Sequence, residues 1–144
     1  CLFTSAQVFK DIGYADERFN LPGGGALNLY IYRNVAMHPQ TRSFVLAGEG
    51  SFHQLHGGVT TSEVAERDSI LRRQSEQLNA LLEQPFRSPT VQPILLGKIA
   101  PSAMRYLKHS VERGIHRSQR CAARKEDMYA DQRMKDQLSS ASDA

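Results

Sequence analysis

Eleven consecutive residues, Gly48-Glu49-Gly50-Ser51-Phe52-His53-Gln54-Leu55-His56-Gly57-Gly58, bring four glycines, a carboxylate and two histidines into one short stretch. Histidine and glutamate are the side chains that ligate divalent cations and move protons near neutral pH. Glycine serves where a chain bends sharply or comes close to a ligand. His53 follows Glu49 by four positions and precedes His56 by three, so a loop of this kind can offer two or three ligands to a cation. The helical HExxH arrangement is absent, and no further histidine or cysteine has useful spacing, which argues against a complete structural zinc site. One histidine completing a metal site whose carboxylates lie elsewhere fits better. Ser51 beside His53 is no nucleophile motif, because the GxSxG elbow is missing. A plainer reading stands beside the chemical one: a Gly-rich turn between strand and helix, its histidines hydrogen-bonded to nearby backbone.

The elements on either side must position this stretch. Residues 42–47 are β-rich and read as the strand that delivers it. Beyond it, Thr60 and Glu63 form a capping box for a helix predicted over 62–84 and stopped by Pro85. The apolar positions of that helix (Val64, Ile70, Leu71, Leu78, Leu81 and Leu82) leave a wide polar surface, which places it on the outside of the domain. Upstream, Ser5 caps a short helix over 5–12 with Val8, Phe9 and Ile12 on one face and Gly13 at its end. Gly23, Gly24 and Gly25 then precede a helix over 26–37 whose face carries Leu27, Tyr30, Ile31 and Val35. His38-Pro39 ends it, since proline disfavours the helical state of the residue before it.

Successive glycines before a helix can turn backbone amides toward a phosphate. There is no Gly-Lys-Ser/Thr ending and no GxGxxG spacing, so a tight turn is the competing reading. Asn28, in the first turn beside these glycines, is a candidate ligand contact. Further strands are expected near 2–4 and 51–54. Residues 86–101, with Pro89, Pro93 and Pro101 around Ile94-Leu95-Leu96, read as an extended loop. Met104, Leu107, Val111 and Ile115 mark one narrow helical face, after which a fraying helix and a disordered tail are expected.

The 144 residues suffice for one domain with a modest core. No apolar run reaches the roughly 20 residues that span a bilayer. Cys1 and Cys121 have no metal-ligand spacing and are expected as free thiols. Residues 1–104 balance nine basic groups against nine acidic ones, while residues 105–144 carry nine basic and six acidic groups, so the net charge of +3 sits in the tail. Almost no aromatics interleave it, which argues against specific nucleic-acid binding. The chain opens on Cys1, and Leu2-Phe3-Thr4 reads as the end of a buried strand, so a missing N-terminal part is expected.

Three segments taken in order resemble family 2 glycosyltransferases with a GT-A fold. They are Phe9-Lys10-Asp11-Ile12-Gly13-Tyr14-Ala15-Asp16-Glu17-Arg18-Phe19, then the stretch from Gly23 to Asn34, then the stretch from Phe44 to Gly58. The likeness covers roughly residues 1–60 and lies in the order of the elements, each motif alone being short. It implies an α/β fold: a partial GT-A-like (nucleotide-diphospho-sugar transferase) domain with a short mixed sheet over 1–60, a capped helix and Pro-rich loop over 61–100, and an amphipathic helix with a disordered basic tail over 101–144. It implies transfer of a sugar from a nucleotide-sugar donor to a glycan or lipid-linked acceptor. The implied roles are Glu49 and His56 in catalysis, Gly23, Gly24, Gly25, Asn28 and Gly57 in substrate binding, and His53 as ligand to Mn or Mg.

The chain also departs from the family's pattern. The usual Glu-Asp pair, whose Asp is the base in inverting members, falls at about Gly25 and Ala26, and no Asp-x-Asp for metal and sugar nucleotide occurs anywhere. Glu49 then takes over as base, or the reaction retains configuration. On this reading the chain is the acceptor-side half of a longer cytoplasmic enzyme at the inner face of the membrane. Its metal would need the missing N-terminal part, and the isolated chain would be inactive and bind no sugar nucleotide tightly. The alternative is a non-catalytic helical interaction module or a degenerate relative of the family. A further expectation is peripheral contact of the basic tail with anionic lipid or RNA.

Overall fold

The computed structural model describes residues 2–49 and 65–142. Those residues form an α/β arrangement that is mostly helical, with five α-helices and one two-stranded parallel sheet. They divide into two compact units, each drawn from two stretches of chain: residues 2–38 with 65–89, and residues 39–49 with 90–142.

In the first unit, α1 (Ala6–Asp11) starts where the Ser5 hydroxyl accepts the Val8 amide at 3.2 Å, the N-cap bond expected from the sequence. After the 3-10 turn Pro22–Gly24 comes α2 (Leu27–Met37), which stops at His38 in extended backbone ahead of Pro39. The imidazole Nε2 of His38 lies 3.6 Å from the Asp11 carboxylate and ties the ends of the two helices together. The third helix, α3 (Arg67–Leu82), closes the unit. Its expected capping box at Thr60 and Glu63 lies outside the described residues, and Glu66 at the N-cap makes no side-chain bond.

Most of α3 is exposed, leaving the wide polar surface that the sequence implies, while one residue reaches the core. Leu78 is 2% exposed and forms the core with Phe19 and Ala26, surrounded by Leu27, Tyr30, Leu81, Leu82 and Phe86. The sparse apolar positions of α3 suffice because the surface they meet is small. Gln77 secures the same helix by donating from Nε2 to the Arg18 carbonyl (3.1 Å) and to Asn20 Oδ1 (2.9 Å). Since Leu78 is the largest fully buried side chain described, Leu78→Ala should cost about 3 kcal/mol, the usual sum of lost transfer energy and residual cavity. Urea unfolding followed by circular dichroism measures it.

In the second unit, β1 (Phe44–Ala47) pairs in parallel with β2 (Ile94–Gly97), Phe44 opposite Ile94 and Ala47 opposite Gly97. The strand that enters the Gly48 stretch is thus present. Its partner is the stretch expected as a loop, and the short mixed sheet is a parallel pair among the described residues. No strand forms at Leu2, Phe3 or Thr4, and residues 51–54 lie outside the described residues.

Two helices follow, α4 (Met104–Ala123), led in by the 3-10 turn Pro101–Ala103, and α5 (Ala130–Ser142). The expected disordered tail is therefore helical over most of its length. α5 grips the sheet's lead-in segments through a polar row at four-residue spacing. Asp131 Oδ2 accepts from the Thr90 amide (2.6 Å) and hydroxyl (3.0 Å), Lys135 Nζ donates to Thr41 Oγ1 (2.8 Å), and Ser139 Oγ donates to the Pro39 carbonyl (2.6 Å). An apolar-periodicity search passes over such a row.

Lys135 is buried, and burial pushes its ammonium below the ordinary lysine range, with Asp136 opposing the shift and Arg42 adding to it. The unfolded chain then holds this proton at pH values where the folded chain releases it, so stability rises with pH between the lowered folded value and the ordinary one. Urea midpoints at roughly pH 8 and pH 10 should show the rise, and Lys135→Met, which cannot titrate, should show less of it.

Candidate functional site

The residues singled out by the sequence fall in three places. Gly23, Gly24 and Gly25 stand together in the first unit with φ of 73°, 76° and 56°, and the Gly24 amide donates to the Leu21 carbonyl at 3.0 Å. Asn28 is exposed in the first turn of the helix they introduce. Gly25 packs on α3, where a β-carbon would come 3.2 Å from Gln77 Oε1, a buried oxygen with no hydrogen-bond partner. Glu49 belongs to the second unit and is exposed directly after the strand end, its amide donating to the Leu46 carbonyl at 3.4 Å. His53, His56 and Gly57 lie outside the described residues.

The carboxyl end of the sheet is built by two glycines. Gly48 (φ 87°) lies so close to Lys98 that an added β-carbon would overlap the Lys98 carbonyl oxygen, and at Gly97 (φ 95°) it would stand 2.5 Å from the Ala47 carbonyl oxygen. Each strand therefore ends with its backbone pressed on its neighbour, which fixes where Glu49 leaves the sheet. In open α/β sheets the carboxyl ends of the strands are where ligands bind.

The first unit also carries a cleft of about 510 Å³, lined by Ile12, Gly13, Tyr14, Ala15, Asp16, Glu17, Arg18 and Tyr30. Tyr14, at φ 63°, is braced edge-on against Phe9 with ring centroids 5.5 Å apart, and Tyr30 leans on Phe19 at 5.2 Å. Arg18 clasps Asp16 with Nε at 3.0 and 3.1 Å, Nη2 at 2.7 Å and its own amide at 3.0 Å. The guanidinium and the backbone bond hold the Asp16 carboxyl below its usual range, so it stays ionised. Two tyrosines and one fixed carboxylate, Asp16, in the same lining suit a polyhydroxylated ring, whose apolar face lies on an aromatic and whose hydroxyls donate to oxygen.

Sequence reasoning did not select Tyr14, Asp16, Glu17, Arg18 or Tyr30 as site residues. The available signal was the crowding of three charged residues, Asp16, Glu17 and Arg18, between Tyr14 and Phe19. Among the described residues no group of three or more His, Cys, Asp or Glu side chains is placed to hold a metal ion. No helix among them is long and apolar enough to cross a membrane. Set against known protein families, curated proteins and solved structures, the chain matches none.

Proposed function

We propose that the chain is the acceptor-side part of a GT-A-like glycosyltransferase that moves a sugar from a nucleotide donor to a glycan or lipid-linked acceptor. The observation that carries this reading is Glu49, an exposed carboxylate set at the carboxyl end of a parallel strand by a glycine that nothing larger can replace. It lies within the stretch from Phe44 to Gly58, the last of the three segments whose order resembles family 2 enzymes, and would take over the role of the carboxylate missing near Ala26. Glu49 would accept the proton of the attacking hydroxyl, with His56 orienting it. Separately, within the first unit, the cleft lined by Tyr14 and Tyr30 has the aromatic and acidic lining that a sugar ring fits.

His53 would be one ligand of a Mn or Mg ion that offsets charge on the departing diphosphate.

One observation favours the non-catalytic alternative. Ala26, near where the family's catalytic carboxylate falls, is a 7%-exposed core residue beside Phe19 and Leu78. A carboxylate could not replace it without burying charge. Transfer of labelled sugar to an extractable glycan or lipid acceptor, by the protein as its gene encodes it, separates the two. Labelling stopped by EDTA is the expected result. A folded protein that labels nothing leaves the interaction-module reading. Micromolar affinity of the 144-residue chain alone for a UDP- or GDP-sugar would move donor binding into this chain and overturn the acceptor-side assignment.

A further inference from the structure

We propose that α4 is an interfacial helix that docks the protein on an anionic lipid surface. Met104, Leu107, Val111 and Ile115 recur at helical spacing along one side, with Gly114, Ser118 and Ala122 completing the same sector. The rest of the circumference carries Arg105, Lys108, Arg113, Arg117 and Arg120, and the helix holds one acid, Glu112. No residue of α4 is buried, and Met104, Val111 and Ile115 are each more than half exposed. Leu107 is half-buried, so the helix keeps most of its apolar stripe in water beside an excess of cations.

Three kinds of surface could cover it, and the two features together choose among them. A nucleic acid would meet the cations and leave the stripe wet. A second copy of the helix would bury the stripe but bring two cationic flanks together, and Gly114 and Ser118 would sit in the seam, where a coiled coil needs large apolar knobs. An anionic bilayer surface takes both features, the stripe entering the acyl boundary while Arg105, Lys108, Arg113 and Arg120 reach the headgroups. Since no helix among the described residues can cross a membrane, α4 would lie in the plane of the surface, its 20 residues spanning about 30 Å. This placement is independent of the reaction proposed above.

The chain contains no tryptophan, so V111W puts a single reporter in the middle of the stripe. The full chain should sediment with vesicles of phosphatidylcholine containing roughly one third phosphatidylserine and not with phosphatidylcholine alone. The V111W emission should shift to the blue and resist aqueous quenchers when the mixed vesicles are added. K108E/R113E should weaken binding by about fivefold or more for each cation reversed. V111D should release the protein while its circular dichroism stays helical, and should V111D unfold, the V111W spectrum still decides.

Four outcomes would each overturn the proposal. They are no binding to the mixed vesicles, binding with unshifted V111W emission, tighter binding to duplex RNA than to vesicles, and a dimer in ultracentrifugation that V111D abolishes in a chain that ignores lipid.

Discussion

Gly48→Ala should destroy the β1–β2 pair, and Gly97→Ala should do the same. Both glycines have a φ that side chains rarely adopt, and in both a β-carbon meets a backbone carbonyl of the neighbouring segment, Lys98 for one and Ala47 for the other. A flexible side chain could swing aside, but a carbonyl in or beside a ladder moves only if the strand moves. The left-handed backbone costs on the order of 1–3 kcal/mol and the overlap a similar amount, so about 4 kcal/mol is expected at each site. That is a large share of the stability of a small domain. Gly13→Ala is the control: it has a similar φ of 83° but open space around the added carbon, so only the conformational cost of about 1–2 kcal/mol should appear. Thermal melts rank the three, and hydrogen exchange at residues 44–47 and 94–97 shows whether the loss lies in the sheet. Equal, mild effects at all three positions would mean the strand ends are not pressed together.

The second large effect is on turnover. Glu49→Gln should leave the unfolding free energy within about 0.5 kcal/mol of its parent, because Glu49 is exposed. If Glu49 is the base, turnover should fall by roughly a hundredfold to ten-thousandfold, the amide keeping the shape but being too weakly basic to take the proton. His53→Ala should stop metal-dependent transfer, and His56→Ala should hurt less. A purely structural stretch gives the opposite signature, with stability lost in proportion to burial and unchanged turnover per folded molecule. Activity retained in folded Glu49→Gln removes the assigned base.

Particular residues show which parts of this were legible in the sequence. Ser5 and Val8 announced α1, and His38-Pro39 announced the end of α2, because local bonds and proline sterics act over a few residues. β1 was legible from its apolar run, yet β2 was not. Ile94-Leu95-Leu96 between prolines looks the same in sequence whether it pairs with a strand or lies in a loop, and its partner is distant. α5 escaped because Asp131, Lys135 and Ser139 anchor it with polar bonds, a pattern that reads as solvent-facing. Of the candidate site, the exit of Glu49 from a strand followed from the sequence. The cleft around Tyr14 and Arg18 did not, since it arises where a turn with positive φ folds back toward Tyr30.

The parallel pairing of β1 with β2 also sets a timetable for a newborn chain. Phe44 meets Ile94 about fifty residues later, so at about 5–20 residues per second β1 leaves the ribosome several seconds before its partner. The described stretches of the first unit end at residue 89, ahead of β2, so that unit can close around Leu78 while Phe44, Val45 and Leu46 still lack a strand to pair with. An unpaired apolar strand is a template for another chain's edge. The interval before Ile94 emerges is thus when a nascent-chain chaperone matters most to this protein. Codons that slow synthesis between residues 48 and 93 should lower its soluble yield without changing a single side chain.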